Sequence, residues 1–272
     1  MNLAISNIAW SPNENDLIFS ILREKGVKGV EIAPTLFWPN PTLASRPEIE
    51  DIKTYFSKAG FTIPAAQALL FNQPELTLFQ DEDIREQTLE YIKKLSNVCA
   101  ILGVSRLVFG SPKNRQKGKL TQDQAMDIAS DFFLNLACYI SPMGMILCLE
   151  PNPAEYGCDF ILNTSEAVDL IQRVNHPNFQ LHLDTSSVFL NKEVPESLLP
   201  GCIPFARHCH VSEPFLGLIG EHQNDHAAIA KCLHASNYSE WISIEMKSGL
   251  RLPNSIAIVQ ALNFTSEVYL KN

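Results

Sequence analysis

Short apolar runs of strand length alternate with longer segments of helical period from one end of the chain to the other. The candidate strands are Leu3–Ala9, Gly29–Ala33, Thr62–Leu70, Arg106–Phe109, Met145–Glu150, Gln180–Asp184, Arg207–Val211 and Trp241–Met246. Between them, Asn15–Lys25, Ile49–Ala59, Asp83–Leu102, Thr121–Ile140, Ser165–Val174 and His226–Ala235 place apolar residues at helical spacing. Alternation of this kind predicts βαβ units and a parallel sheet. Eight repeats in 272 residues predict a (β/α)₈ TIM barrel rather than an open sheet. Gly26, Gly60 and Gly103 fall just past helix ends, where a left-handed cap is wanted, and Thr121-Gln-Asp-Gln124 is a helix start with a capping side chain. No charge block or Pro/Gly/Ser linker divides the chain, so a single domain over residues 1–272 is expected. The longest irregular stretches, Pro34–Glu48, Asn72–Asp81, Ser111–Leu120 and Ser212–Gln223, all follow a strand. In a barrel those loops form the C-terminal rim, where active sites are built.

Four successive late strands end in the same way. Met145-Ile-Leu-Cys-Leu-Glu150, Phe179-Gln-Leu-His-Leu-Asp184, Ala206-Arg-His-Cys-His210 and Trp241-Ile-Ser-Ile-Glu245 each close an apolar run with a metal-capable side chain. Alternation along a strand puts Cys148 with Glu150, His182 with Asp184, His208 with His210, and Ser243 with Glu245 and Lys247 on shared faces. One such residue is a helix cap or a solvated charge more often than a ligand. Four on consecutive strands point to one site of three carboxylates and an imidazole. That donor set suits one divalent ion, Mn²⁺, Mg²⁺ or Co²⁺, with Zn²⁺ also accommodated by the imidazole. His182 and His208 lie one layer deeper, as orienting groups or as core histidines. Gln67, Asn152, Glu155 and Lys247 are placed to touch a substrate. Lys113 and Arg115, in the loop after the fourth strand, are candidates to grip an anionic end, although the loop lacks the spacing of a phosphate-cradling P-loop. His222 and His226 come from the loop and helix after the seventh strand.

Composition narrows the partners. Apolar residues make up 46% of the chain and charged residues 19%, enough for a sizeable core. A formal charge of −9 disfavours a nucleic-acid partner. No apolar run reaches the roughly 18 residues of a membrane span, so no membrane partner is expected. The seven cysteines are scattered and odd in number, with Cys148 and Cys209 inside strand runs, a pattern that fits reduced thiols in a cytoplasm. The first ten residues lack a basic segment and read as a strand rather than a signal peptide. The expected partner is a small sugar-like molecule, and a homodimer is left open.

The motifs Gly29-Val-Glu31-Ile, Leu149-Glu150-Pro, His182-Leu-Asp184-Thr, His210-Val-Ser-Glu213-Pro and Ser243-Ile-Glu245-Met, in this order, resemble the xylose isomerase-like TIM-barrel superfamily of sugar phosphate isomerases and epimerases. The resemblance covers nearly the whole chain. It implies metal ligands at Glu150, Asp184, His210 and Glu245, with Glu150 and Glu245 also exchanging the substrate proton. The implied reaction is proton abstraction α to a carbonyl through a metal-stabilised enediolate. A dehydratase of the same fold, acting on an inosose or dehydroshikimate, is the alternative. A non-catalytic sugar-binding barrel is disfavoured by the intact ligand set. Two departures stand out. The ketose 3-epimerases of the group carry a His and an Arg where this chain has Ser187 and Leu216. The endonuclease IV branch needs histidines where it has Ser187, Ala33, Ala66 and Gln67.

Overall fold

The computed structural model describes residues 1–271. Among these residues eight parallel strands form one sheet: β1 (Asn2–Ser6), β2 (Gly29–Glu31), β3 (Ala65–Ala66), β4 (Arg106–Phe109), β5 (Ile146–Leu149), β6 (Phe179–Asp184), β7 (Ala206–Ser212) and β8 (Trp241–Glu245), in the order β2-β1-β8-β7-β6-β5-β4-β3. Two parallel bridges, Gly29 with Thr62 and Ile32 with Ala66, bring the ends of that sheet together. The architecture is the expected (β/α)₈ barrel. Around it lie α1 (Asn15–Glu24), α2 (Arg46–Ala59), α3 (Glu82–Leu102), α4 (Gln122–Ile140), α5 (Thr164–Val174), α6 (Thr185–Leu190), α7 (Pro195–Cys202), α8 (His226–Ala235) and α9 (Asn254–Thr265).

Helix ends follow local chemistry. A reciprocal capping box between Ser45 and Glu48, with Pro47 in the first turn, starts α2 at Arg46 rather than at Ile49. Asp81 caps α3 through the Ile84 amide at 2.8 Å. Gly60 and Gly103 close their helices in the left-handed conformation. The third strand is far shorter than the run Thr62–Leu70. Pro64 offers no N–H to the ladder, and Ala68, at φ +56°, turns the chain away from the barrel axis. Helices α6, α7 and α9 had no counterpart among the candidate helices.

The core lies between the outer face of the barrel and the helices. Phe133 of α4 stacks on Phe179 of β6, centroids 4.7 Å apart, and meets Phe109 and Phe132 edge-on. Burying each such ring is worth about 1.5–3 kcal/mol. At the start of β2 a side chain on Gly29 would lie 2.6 Å from the Trp241 ring and 2.8 Å from the Ala4 methyl, so β1, β2 and β8 close up only around a glycine. An irregularity between Leu181 and His182 shifts the β6–β7 register. Beyond it His182 lies level with His208, and Asp184 level with His210.

Candidate active site

Glu150 is the first residue past β5, Asp184 ends β6, His210 lies within β7 and Glu245 ends β8. The three carboxylates line one cavity of about 730 Å³, together with Gln67, Asn152 and Lys247. His210 sits just below, 1% exposed, with Nδ1 3.3 Å from a Glu245 oxygen. Each glutamate is held by a carboxamide. Gln67 donates to Glu245 at 2.8 Å, and Asn152 donates to Glu150 at 3.1 Å. The other atom of both amides, Gln67 Oε1 and Asn152 Oδ1, is buried without a partner. Asp184 accepts from the Ser186 amide, from the Ser186 and Ser187 hydroxyls at 2.7 and 3.1 Å, and from the Ser212 hydroxyl. Ser187 thus fills its position by tying Asp184 to the Pro151 carbonyl.

Gly110, directly after β4, makes room for this arrangement. A methyl group there would sit 2.3 Å from a Glu150 carboxylate oxygen. The guanidinium of Arg115, wholly buried, reaches in from the same loop and donates to the Glu150 backbone carbonyl at 2.7 Å. It also approaches the Ile161 carbonyl and the Cys158 sulfur. That corrects the expected anion grip: the cation is spent on fixing the backbone beneath Glu150. Lys113 is exposed and lines a neighbouring recess of about 500 Å³.

Three further expected contacts do not reach the cavity wall. Glu155 and His222 are exposed and outside its lining. His226 is buried behind the barrel, its ring between the Tyr269 hydroxyl at 2.7 Å and the Glu213 carboxylate at 3.3 Å. Tyr156 and Ser186 line the cavity without having been anticipated.

The largest unforeseen element is Glu31 of β2. Its side chain is fully buried under the cavity, accepting from His210 Nε2 at 3.0–3.1 Å and from His208 Nε2 at 3.1 Å. Burial alone would raise its pKa, but His210 and His208 outweigh that and hold it well below the usual carboxylate range. His210 is the mirror case: burial would lower it, and Glu31 with Glu245 keeps it well above the ordinary imidazole value. His182, packed edge-on against His210 with centroids 4.1 Å apart, is held well below that value, first by burial and then by the two neighbouring imidazoles. The signal for Glu31 was a lone carboxylate between Val30 and Ile32 in a buried strand.

At the mouth the compensation from His210 and Arg115 is outweighed. Burial, then Asp184, then Glu245 push the Glu150 carboxyl up to about 8. Three carboxylates lining one cavity, beside an imidazole whose Nδ1 lies 3.3 Å from one of them, suit a divalent cation. His182, His208 and His210 also bring ring nitrogens within 4.8 Å of one another, a second group that could hold a metal. That trio is sealed beneath the cavity, whereas a catalytic ion needs an open position for substrate. Among the described residues the carboxylates do not gather as closely as that trio, and what favours them is that they line the open cavity. None of the helices among the described residues is long and apolar enough to cross a membrane.

A sequence profile described as xylose isomerase-like TIM barrel matches residues 19–267. No curated protein matches the chain significantly in sequence. Solved structures do match in fold. D-psicose 3-epimerase of Clostridium cellulolyticum H10, crystallised with D-tagatose, superposes with a TM-score of 0.80 at 17% identity over 99% of both chains. An L-ribulose 3-epimerase gives a TM-score of 0.81 at 16% identity over 99% of this chain and 95% of that one. The IolI protein, solved with a bound zinc atom, gives 0.77 at 20% identity over 99% and 98%.

Proposed function

The chain belongs to the xylose isomerase-like TIM-barrel family, and from that premise we propose that it is a divalent-metal-dependent isomerase or epimerase of a ketose or similar polyol, moving a proton α to a carbonyl. The observation that carries this reading is the pair of carboxamide-held glutamates, Glu150 with Asn152 and Glu245 with Gln67, brought to one cavity from separate strands. When bound, the ion supplies positive charge that lets the three carboxylates ionise together and polarises the substrate carbonyl.

The protein's own groups do the rest. Glu150 and Glu245 each carry an oxygen to the cavity, so one removes the α-proton and the other returns it. Return to the opposite face of the same carbon is epimerisation, and return to the neighbouring carbon is isomerisation. Gln67 and Asn152 fix the two carboxylates through their N–H groups and turn their unpartnered oxygens to substrate hydroxyls. Arg115 pins the backbone under Glu150. The apolar wall formed by Ile8 and Leu216 limits water. Lys247, on the same cavity, offers an acid for a departing β-hydroxyl, which supports a dehydratase as the second reading.

The test is solvent-deuterium uptake at carbon by a panel of ketoses and inososes with the Mn²⁺-loaded protein. Glu150→Gln and Glu245→Gln should each lower uptake about 10²–10⁴-fold while retaining some metal. Wild-type uptake in both variants would reduce these residues to ligands, and loss of water from the labelled product would favour the dehydratase.

A further inference from the structure

The upper part of the cavity has a different chemistry from its base. The polar groups, Glu150, Asp184, Glu245, Gln67 and Asn152, gather at the strand ends, while the rim is built of Phe71, Phe215, Leu216 and Pro112. The adjoining recess shares Ala68, Phe71, Ser111 and Pro112 with the cavity, so space continues past the rim on that side.

Two features mark the aromatic rim as built for a ligand. First, Phe71 and Phe215 are 56% and 57% exposed, the only phenylalanines among the large exposed apolar side chains of the described residues, and both face this one cavity. They follow β3 and β7, which stand on opposite sides of an eight-stranded barrel. Second, both are held in place. Phe71 closes a turn onto the Ala68 carbonyl at 3.0 Å, and the Phe215 amide donates to the Tyr156 hydroxyl at 3.0 Å while its ring meets the Tyr156 ring edge-on. The backbone accepts strain to do this. Ala68, Ser111, Phe215 and Leu216 all have φ between +47° and +59°, and all four line the cavity. Non-glycine residues in that region persist where surrounding structure over-determines them, commonly at ligand sites. Ordered, solvent-exposed aromatic faces above a polar base fit a ligand with a flat apolar ring above a polyhydroxy head.

We infer that the substrate is a ketose bearing a second ring, a pyranose or an aromatic group, and that this ring stacks on Phe71 and Phe215. The inference rests on the proposed ketose chemistry for the orientation of the head. A pyranose offers a C–H face and an aryl group a π face, and the rim reads the flat ring common to both.

The test is calorimetric titration of the Mn²⁺-loaded protein with three kinds of ketose: 6-O-methyl-D-fructose; the glucosyl-fructoses turanose, maltulose and isomaltulose; and 6-O-benzyl-D-fructose. A ring-bearing ketose should bind about tenfold more tightly than the methyl ether. Phe71→Ala and Phe215→Ala, both at exposed positions, should each erase most of that preference and leave the affinity for the methyl ether in place. Preference for a glucosyl-fructose alone assigns a sugar ring, and preference for the benzyl ether alone assigns an aromatic one. Equal binding of all three kinds, no binding of any, or an undiminished preference in both variants overturns the inference. Deuterium uptake by D-fructose separates it from the reaction. Uptake without ring preference leaves the reaction standing and removes the rim's role. Ring preference without uptake by any ketose supports the rim and removes the reaction.

Discussion

The floor and the mouth of the barrel bury acidic side chains a few ångströms apart and treat them in opposite ways. Glu31 is enclosed with two imidazoles that accept its charge, and it stays ionised. Glu150 is enclosed with two more carboxylates, and its proton is held to about pH 8. Depth is part of the difference, since Glu31 is fully buried and Glu150 is half-buried. Counter-charge is the rest: Glu31 has two imidazoles against it, whereas Glu150 has Asp184 and Glu245 as neighbours. A carboxylate cluster without internal compensation is thus a mark of a ligand site, and a compensated one is a mark of structure that serves it.

The largest effect that can break this comparison is removal of the floor carboxylate. Glu31→Ala leaves imidazolium charge buried without its partner and should destabilise the protein by about 3–5 kcal/mol, measured by denaturation in the presence of a chelator. Glu150→Gln under the same conditions should be neutral or stabilising. If both lose stability equally, the mouth is as self-sufficient as the floor.

The pH profile sharpens the same contrast. A carboxyl whose pKa is raised on folding binds its proton more tightly in the native state, so it costs stability as pH climbs from its ordinary 4.5 towards 8. Relative to Glu150→Gln, the metal-free wild type should lose stability across that window, at up to about 1.4 kcal/mol per pH unit. Saturating Mn²⁺ should abolish the difference. Melting temperatures of both proteins from pH 5 to 8, with and without metal, read it directly.

Next in size is the coupling between the two regions. Glu31→Gln keeps the shape of the floor and weakens its hold on His210. Metal affinity should fall about 10–100-fold, as for other residues that orient a metal-binding imidazole, in a competition assay with a fluorescent chelator. The smallest expected effect belongs to Lys113→Ala, within about 0.5 kcal/mol in stability. Its KM should move only for a substrate that carries an anion.

Much of this was legible in the sequence, and the reasons it was or was not are physical. Glu150, Asp184 and Glu245 were visible because each closes a strand-length run, and His210 because it stands two residues short of the end of its own. The barrel was visible because eight strand-length runs recur, most of them followed by a segment of helical period. Glu31 was hidden because its partners lie far away in sequence on β7, and a short strand shows no periodicity of its own. Arg115 misled because a loop cation looks the same whether the loop folds outward or tucks its guanidinium under the next strand. The truncation of β3 depended on the left-handed turn at Ala68, which an alanine does not announce. Helix α9 is apolar on most of its surface, so it lacked an amphipathic stripe to mark it.

The two-residue β3, joined to β2 by isolated bridges, has a consequence for how the site moves. The other ladders run over two to four consecutive residues, whereas this seam is held by separated bridges. Backbone amides along it should open to solvent exchange at a lower free energy than those of β6 and β7. Gln67 sits on the seam and holds Glu245 from there. Of the two glutamates proposed to handle the proton, one is braced by the chain just beyond its own strand, and the other by this seam.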